Sequence, residues 1–348
     1  MVFNLETRKV QKTGGSSFIV SLPKEWIVSH KIQKNDALGI ISQPDGKLLI
    51  TPDPNSEELI KKKEFLVDDI TDYDFFFRLL IGAYIMGYSR IEIKSSRKFK
   101  SFIRKCITDF TQIAIGPEII EESSQNLVIK DLLNPQEMPF EKTIKRMYIL
   151  SGTMHEDAIS ALKNKDITLA EQIINRDNDI DRLHWLIGRQ SHIVLRDIIL
   201  CQKMGITLED ANNFQNMSRF LERIGDHAVK IATNVITIIE ENGVNDELLK
   251  PIIKVSEQSR DVLNFSMDAW REGNILKANE NIEMIKELTK ACDQVSKEII
   301  GHKEDSENIN SKTIKSSIAM SYIIESIRRT GEYAGDISEI IINNLINE

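Results

Sequence analysis

The sequence predicts a multidomain chain with a small N-terminal β domain, a small α+β middle domain and an all-α C-terminal pair of three-helix bundles. Residues 8–52 contain short apolar runs separated by turn residues, which is typical of strands. From residue 140 onward, apolar residues recur at helical spacing. At 348 residues, the chain is also longer than one hydrophobic core usually serves.

The N-terminal domain is predicted to span residues 1–54 and to contain four short strands and one short helix. A basic strand, Arg8 to Lys12, is followed by a turn at Thr13 to Ser16 and an apolar strand at Phe18 to Leu22. Pro23 is placed as the first residue of the short helix. A hairpin then turns at Pro44-Asp45-Gly46. Because a domain of this size buries little surface by itself, we expect it to dimerise.

The middle domain, residues 60–133, is predicted to place helices on one face of a sheet. The pattern indicates a strand at 64–67, a helix at 74–88, a strand at 90–94, a helix at 99–115 and one or two strands within 119–129. No chemical motif occurs there. A spacer or dimerisation role is therefore favoured over ligand sensing.

The C-terminal bundles are predicted at 140–242 and 246–348. Their six helices are expected at 140–164, 168–200, 207–242, 246–273, 275–300 and 310–347. Short links between long helices favour antiparallel packing.

The two bundles are predicted to be copies of one unit. Leu162–Ala170 matches Trp270–Ala278 with an offset of 108, and Leu221–Ile231 matches Ile327–Ile337 with an offset of 106. Such repetition predicts two related bundles that carry any site up to twice.

Charge and composition restrict the functional classes. The net charge is −8, yet residues 1–54 hold seven basic against five acidic side chains, so any DNA contact belongs to that first domain. No apolar stretch approaches the roughly 20 residues that span a bilayer, and no signal peptide is recognised. Three scattered cysteines favour a reducing, cytoplasmic location.

Two acidic pairs suggest a metal site in the first bundle. Asp177 and Asp181, and likewise Glu222 and Asp226, are spaced four residues apart, so each pair lies on one helix face. If the helices face each other, four carboxylates converge where a hard or borderline divalent cation could bridge them. The alternative is a solvated acidic face, because 53 acids produce about eight such pairs by chance.

The second bundle departs from this pattern. Arg328 and Glu332 replace Glu222 and Asp226. An offset of 106 places Glu283 and Glu287 opposite the other acidic pair, with Lys286 opposite Ile180. An offset of 105 places Lys286 opposite Asp181. Either alignment brings in a cation, so we predict that the second site is lost.

The histidines and tryptophans carry a weaker signal. His155, His184, His192 and His227 fall on predicted helices, where a single histidine is more often packed than ligating. Trp185 and Trp270 are expected in the bundle core.

The N-terminal domain resembles the swapped-hairpin domain of the AbrB/SpoVT family. The resemblance rests on Arg8-Lys9-Val10-Gln11-Lys12, Ser21-Leu22-Pro23-Lys24-Glu25-Trp26 and the hairpin from Lys34 to Pro52. It implies a homodimer in which two chains interleave into one small barrel. The DNA-contacting residues would be Arg8, Lys9, Lys12, Lys24 and Lys34, contacting phosphates rather than identified bases.

The bundles resemble the phosphate-uptake regulator family (PhoU). Its fingerprint is present as Glu222-Arg223-Ile224-Gly225-Asp226-His227-Ala228, and the preceding helix carries Asp177-Asn178-Asp179-Ile180-Asp181. The resemblance implies iron or zinc, with a multinuclear cluster possible, at the four acids of the first bundle only. The combination with an AbrB-like front end resembles archaeal members.

Three functions follow. The first is a DNA-binding transcriptional regulator of phosphate uptake, whose bundles sense the state or dock a partner. The second is an adaptor that contacts a phosphate transporter's ATPase or a sensor kinase without binding DNA. The third, a di-metal carboxylate enzyme, is weakest because no Glu-x-x-His motif occurs at the acidic pairs. We therefore predict a non-enzyme.

Overall fold

The computed structural model describes residues 6–43, 46–52, 61–241, 243, 246–304 and 311–346. By its internal contacts the chain divides into two compact units, Met1–Ile60 and Lys61–Glu348. The predicted turn residues Pro44 and Asp45 lie outside the described part. None of the described helices is long and apolar enough to cross a membrane.

The first unit contains two antiparallel hairpins and one short helix. Strands β1 (Gln11–Thr13) and β2 (Ser17–Ile19) pair around Gly14, and β3 (Gly39–Ser42) pairs with β4 (Leu48–Thr51). Helix α1 spans Lys24–Ser29.

Two details of this unit correct the sequence prediction. Arg8 and Lys9 precede β1, because the ladder with β2 begins only at Gln11, opposite Ile19. Pro23 occupies the N-cap of α1 in an extended conformation and is not the first helical residue.

The first unit buries none of its described side chains. Phe18 is 71% exposed, Val28 65% and Ile40 66%. Large apolar side chains left in water destabilise a small domain, and surfaces of this kind are typical of protein contacts.

The second unit begins with a four-stranded sheet. Strands β5 (Lys62–Leu66) and β6 (Arg90–Lys94) are parallel, and helix α2 (Tyr73–Ile85) connects them. After helix α3 (Ser101–Ile113), strands β7 (Pro117–Glu122) and β8 (Asn126–Asp131) form a hairpin. The sheet order is β5-β6-β8-β7, and β8 runs antiparallel to β6.

Alternation along the strands explains this core. Ile91 and Ile93 of β6 are buried, as are Leu127 and Ile129 of β8, and these side chains join one cluster with residues of both helices. The predicted α+β unit is therefore confirmed, with each strand and helix near its predicted position.

The bundles form the rest of the second unit. Their helices are α4 (Phe140–Asn164), α5 (Ile167–Asn175), α6 (Asp177–Val194), α7 (Ile198–Lys203), α8 (Leu208–Glu240), α9 (Asp246–Glu272), α10 (Ile275–Glu304) and α11 (Ser311–Ile346). One hydrophobic cluster runs through both bundles.

The predicted single helix at 168–200 was wrong, because this segment forms three helices. Asp166 caps α5 by accepting from the Leu169 amide. Asp197 caps α7 by accepting from the Leu200 amide. Aspartate side chains of this kind compete with the helical backbone and start a new helix.

The second half of α6 docks the sheet domain onto the first bundle. The buried Arg189 guanidinium donates to the carbonyl oxygens of Tyr84 at 2.7 Å and Tyr88 at 3.0 Å. It also pairs with the Asp131 carboxylate at 2.6 Å. Gly188 allows Ile85 to approach closely, since an added Cβ would lie 3.3 Å from its Cγ2.

Trp185 belongs to this junction. Its ring packs edge-to-face on Phe77 at 6.5 Å, against the core of the sheet domain. The expectation that Trp185 lies in the bundle core was therefore wrong, whereas Trp270 does pack against that core.

Candidate functional site

The two predicted acidic pairs lie on adjacent helices of the first bundle. Asp177 and Asp181 occupy the start of α6, while Glu222 and Asp226 lie midway along α8. The contact between the helices falls between the pairs. Ile180 packs directly on Gly225, where an added Cβ would lie only 2.6 Å from the Ile180 Cδ1 atom.

Burial raises the pKa of all four carboxyl groups, and neighbouring acids raise it further at Asp177, Asp181 and Glu222. Burial and the neighbouring Asp177 and Asp226 raise the pKa of Asp181 to about 7. Burial, with Asp226 next in importance, raises the pKa of Glu222 to about 7. Burial and Asp226 raise the pKa of Asp177, and burial raises that of Asp226 although Lys230 and Arg223 oppose it. The acids therefore share one electrostatic site, as the spacing predicted.

Within the part of the chain that the structure describes, these four carboxylates make no hydrogen bond and no ion pair. All four are half-buried. Lys230 and Arg223 act against the raised pKa of Asp226, and Arg223 against that of Glu222, yet the pKa of both groups stays raised. Half-buried carboxylates that repel one another are unfavourable, and a bound cation would relieve the repulsion.

The four carboxylates are not arranged as a metal coordination site in this structure. As the side chains stand, no three or more His, Cys, Asp or Glu residues of the described chain form a group that could hold a metal ion. The donor set, four carboxylates from two helices, suits a divalent cation chemically. Coordination would require the carboxylates to turn toward one another by side-chain rotation.

The helix contact in the second bundle fixes the alignment of the repeats. Gly331, the counterpart of Gly225, meets Leu288, because an added Cβ would lie 2.2 Å from its Cδ2 atom. Leu288 therefore corresponds to Ile180, with an offset of 108. On that register Ile285 and Thr289 stand opposite Asp177 and Asp181.

This register corrects both alignments weighed from the sequence, which placed Lys286, Glu283 or Glu287 opposite the acids. Those three side chains are exposed, and Lys286 pairs with Glu283 at 2.7 Å. The earlier offsets matched residue types along the chain, whereas glycine contacts show which side chain reaches the neighbouring helix.

On α11, Arg328 stands at the position of Glu222, and Glu332 at that of Asp226. Arg328 pairs with Glu325 and lies 3.4 Å from Glu332, while Arg329 pairs with Glu332 at 2.9 Å. Burial raises the pKa of Glu325, but the hydrogen bond and charge of Arg328 prevail and hold it below its usual value. Glu325 and Glu332 thus have protein counter-charges. Loss of the second site stays a prediction.

The helical histidines have structural partners. The buried His155 Nε2 lies 2.8 Å from the Ser256 Oγ of the second bundle, and His184 Nδ1 lies 3.0 Å from the Ser218 Oγ. His192 Nδ1 lies 2.8 Å from the Gly188 carbonyl oxygen, and His227 packs against Tyr333.

The five predicted DNA-contacting side chains are all exposed in the first unit. Lys12 lies on β1, Lys24 begins α1, and Lys34 follows that helix. Arg8 pairs with Glu6. Whether these side chains contact DNA stays a prediction.

Comparisons with known proteins agree with the resemblances predicted for the N-terminal domain and for the bundles. Residues 144–235 match the PhoU domain, and residues 11–58 match the domain "Antidote-toxin recognition MazE, bacterial antitoxin". A phosphate-specific transport system accessory protein PhoU homolog from Clostridium acetobutylicum is 25% identical over 214 residues, which cover 58% of this chain and 92% of that protein. The homolog from Aquifex aeolicus is 28% identical over 186 residues, covering 52% and 80%.

Solved structures show the same bundle fold. PhoU from Pseudomonas aeruginosa aligns with a TM-score of 0.52 and 21% identity, covering 60% of this chain and 95% of that structure. The phosphate transport system regulatory protein PhoU from Streptococcus pneumoniae aligns with a TM-score of 0.50 and 25% identity, covering 60% and 94%.

The helical part of this chain is therefore similar to PhoU proteins in sequence and in fold. More particularly, one chain combines a segment that matches the PhoU domain with an N-terminal segment that matches the MazE antitoxin domain. The similar proteins are accessory and regulatory proteins by name, in agreement with the prediction of a non-enzyme. An archaeal origin stays a prediction.

Proposed function

We propose that this chain is a cytoplasmic, DNA-binding transcriptional regulator of phosphate uptake that acts as a homodimer. The union of a MazE/AbrB-like domain with a PhoU domain in one chain carries the proposal. The first part supplies exposed basic side chains, and the second resembles accessory proteins of phosphate transport systems.

The proposed dimer rests on the first unit. Its described side chains are without exception unburied, although Phe18, Val28 and Ile40 are large and apolar. A second copy would cover such side chains and would also double the number of basic groups facing phosphates.

The proposed sensor is the acidic site of the first bundle. Asp177, Asp181, Glu222 and Asp226 would hold iron or zinc, with a multinuclear cluster possible. Metal binding would shift the DNA-competent population only by its differential affinity for the two conformations. Phosphate could bind at such a metal, because a multivalent cation attracts phosphate oxygens.

A salt series with duplex DNA tests the DNA-binding function. Full-length protein with Arg8→Ala and Lys9→Ala should bind duplex more weakly whatever its sequence, and its salt slope should fall by about 2 for each protomer engaged. The control is Lys163→Ala with Lys297→Ala, which removes the same charge from exposed bundle positions.

The result distinguishes the two leading functions. Equal losses of DNA affinity in both double variants would show that the interaction depends only on the overall charge of the protein. No salt-dependent binding by the wild type would favour the adaptor, which docks on a phosphate transporter's ATPase or a sensor kinase. The names of the relatives, accessory proteins of a transport system, favour that second function.

A further inference from the structure

A cleft of about 410 Å³ lies where the two bundles meet, away from the acidic site. Residues of α4 in the first bundle line one side, and residues near the end of α9 in the second bundle line the other. Clefts of this volume are in the range that small organic ligands occupy.

The floor of the cleft is aromatic and held in place. Tyr148, Met267 and Trp270 line it. The Tyr148 hydroxyl donates to the Asn264 Oδ1 at 2.7 Å, and Trp270 packs edge-to-face on Phe214 at 6.2 Å. Fixed aromatic rings offer a planar group a stacking surface at small entropic cost.

The rim carries cations. Lys142 and Lys145 are three residues apart on α4, so they lie on one face of the helix. Both are exposed, and neither has a hydrogen-bond or ion-pair partner within the described chain. Arg271 adds a third cation from the opposite helix.

Two carboxylates also line the cleft, and one of them is already neutralised. Asp268 pairs with Arg271 at 2.9 Å and lies 3.6 Å from Lys277. Glu141 is the other. Three cations against two acids give this cleft a positive balance on a chain whose net charge is −8. An anion is therefore favoured here over most of the surface.

A second cavity of about 250 Å³ shares Glu141 and Trp270 with the cleft. Phe214 lines it, and so do Asn213 and Asn344, whose amides are joined by a hydrogen bond of 2.7 Å. Each amide retains further donor or acceptor capacity, which is the chemistry that reads the edge of a heterocyclic base.

We propose that the cleft binds a nucleotide of nucleoside-diphosphate size. Its base stacks on Trp270 with its edge toward the two asparagines, and its phosphates lie between Lys142 and Lys145. The site is separate from the acidic site and would make the bundles responsive to nucleotide as well as to metal or phosphate.

Isothermal titration of the full chain with ADP and GDP tests the proposal, with pyrophosphate and adenosine as the separate halves of the ligand. At least one nucleoside diphosphate, ADP or GDP, should bind at least about tenfold more tightly than either half. Lys142→Ala with Lys145→Ala should weaken binding at least about tenfold, because charge-assisted hydrogen bonds are lost.

Two controls make the result specific. Lys163→Ala removes an exposed lysine elsewhere on α4 and should leave the affinity unchanged. Trp270→Phe should weaken binding of ADP or GDP but not that of pyrophosphate, and thermal unfolding checks that this variant folds.

Three outcomes would overturn the nucleotide site. The first is that neither ADP nor GDP binds saturably. The second is that pyrophosphate alone binds as tightly as they do, and the third is that Lys163→Ala weakens binding as much as the double variant. The second result would indicate a simple anion site without base recognition.

Discussion

The two bundles share one fold but differ in whether their acidic side chains form ion pairs. In the first, four half-buried carboxylates lie on adjacent helices without an ion-pair partner among the described residues, and their pKa values are raised. In the second, the equivalent α10 positions are Ile285 and Thr289, and Glu325 and Glu332 of α11 pair with Arg328 and Arg329. The helix packing is thus similar in the two bundles. The polar side chains beside it form a candidate ligand site in the first bundle and a set of ion pairs in the second.

The same register exposes a second difference. Arg189 is buried and joins the sheet domain to α6, whereas its counterpart at the offset of 108, Lys297, is exposed. Gly188, which admits Ile85, corresponds to Ser296. The first bundle thus carries both the acidic site and the docking surface for the sheet domain, on opposite ends of one helix.

The largest expected difference concerns bound metal. Asp226→Ala should reduce the affinity for iron or zinc more than about tenfold, because it removes a proposed ligand. Glu332→Ala should leave metal content unchanged, since Glu332 is held by Arg328 and Arg329. Elemental analysis of protein purified without a chelator measures both. Equal metal content in wild type and both variants would contradict the site.

A second comparison tests the docking surface. Arg189→Met should destabilise the protein by about 3–5 kcal/mol, because it leaves the buried Asp131 carboxylate and two carbonyl groups without their partner. Lys297→Met should change stability by no more than about 0.5 kcal/mol. Urea unfolding measures both, and similar losses of stability would contradict a docking role for Arg189.

The contact between the bundles should be sensitive to acid. Burial, and then the charges of Arg260 and His227, lower the pKa of His155 to about 4. The neutral form is therefore favoured in the folded state, so this contribution is complete above about pH 6.5 and is lost as pH falls toward 4. Across that window it amounts to about 3 kcal/mol.

Urea unfolding of wild type and His155→Gln at several pH values isolates this effect. The difference in unfolding free energy between them should change by up to about 3 kcal/mol between pH 6.5 and pH 4. A constant difference across this range would place His155 outside the pH response.

The smallest expected effect tests the register itself. Gly331→Ala should cost about 1–3 kcal/mol, because its Cβ would collide with Leu288. Leu288→Ala should remove most of that extra cost, so a double-mutant cycle should show coupling between the two changes. Lys286→Ala should show no coupling with Gly331→Ala. Coupling between these two changes would favour the offset of 106 instead. Gly225→Ala is the matched change in the first bundle, against Ile180.

Local pattern was sufficient for most of the fold. Helical periodicity placed α4 at 140–164 and period-two alternation placed β6 at 90–94, as observed. It failed where one side chain altered the backbone. Asp197 begins α7 within what reads as one continuous apolar helix, because capping competes locally with helix continuation.

The sequence by itself determined the chemistry of this protein: its acidic pairs at four-residue spacing, its basic first domain and its repeated bundles. Only the tertiary structure decided which residues meet. Chain spacing gave two plausible offsets for α10, and the contact of Leu288 with Gly331 selected a third, because helix packing depends on which side chains reach the neighbouring helix. Likewise, nothing along the chain indicated that Arg189 would lie buried on Asp131, since the partners are joined only when sheet and bundle pack together.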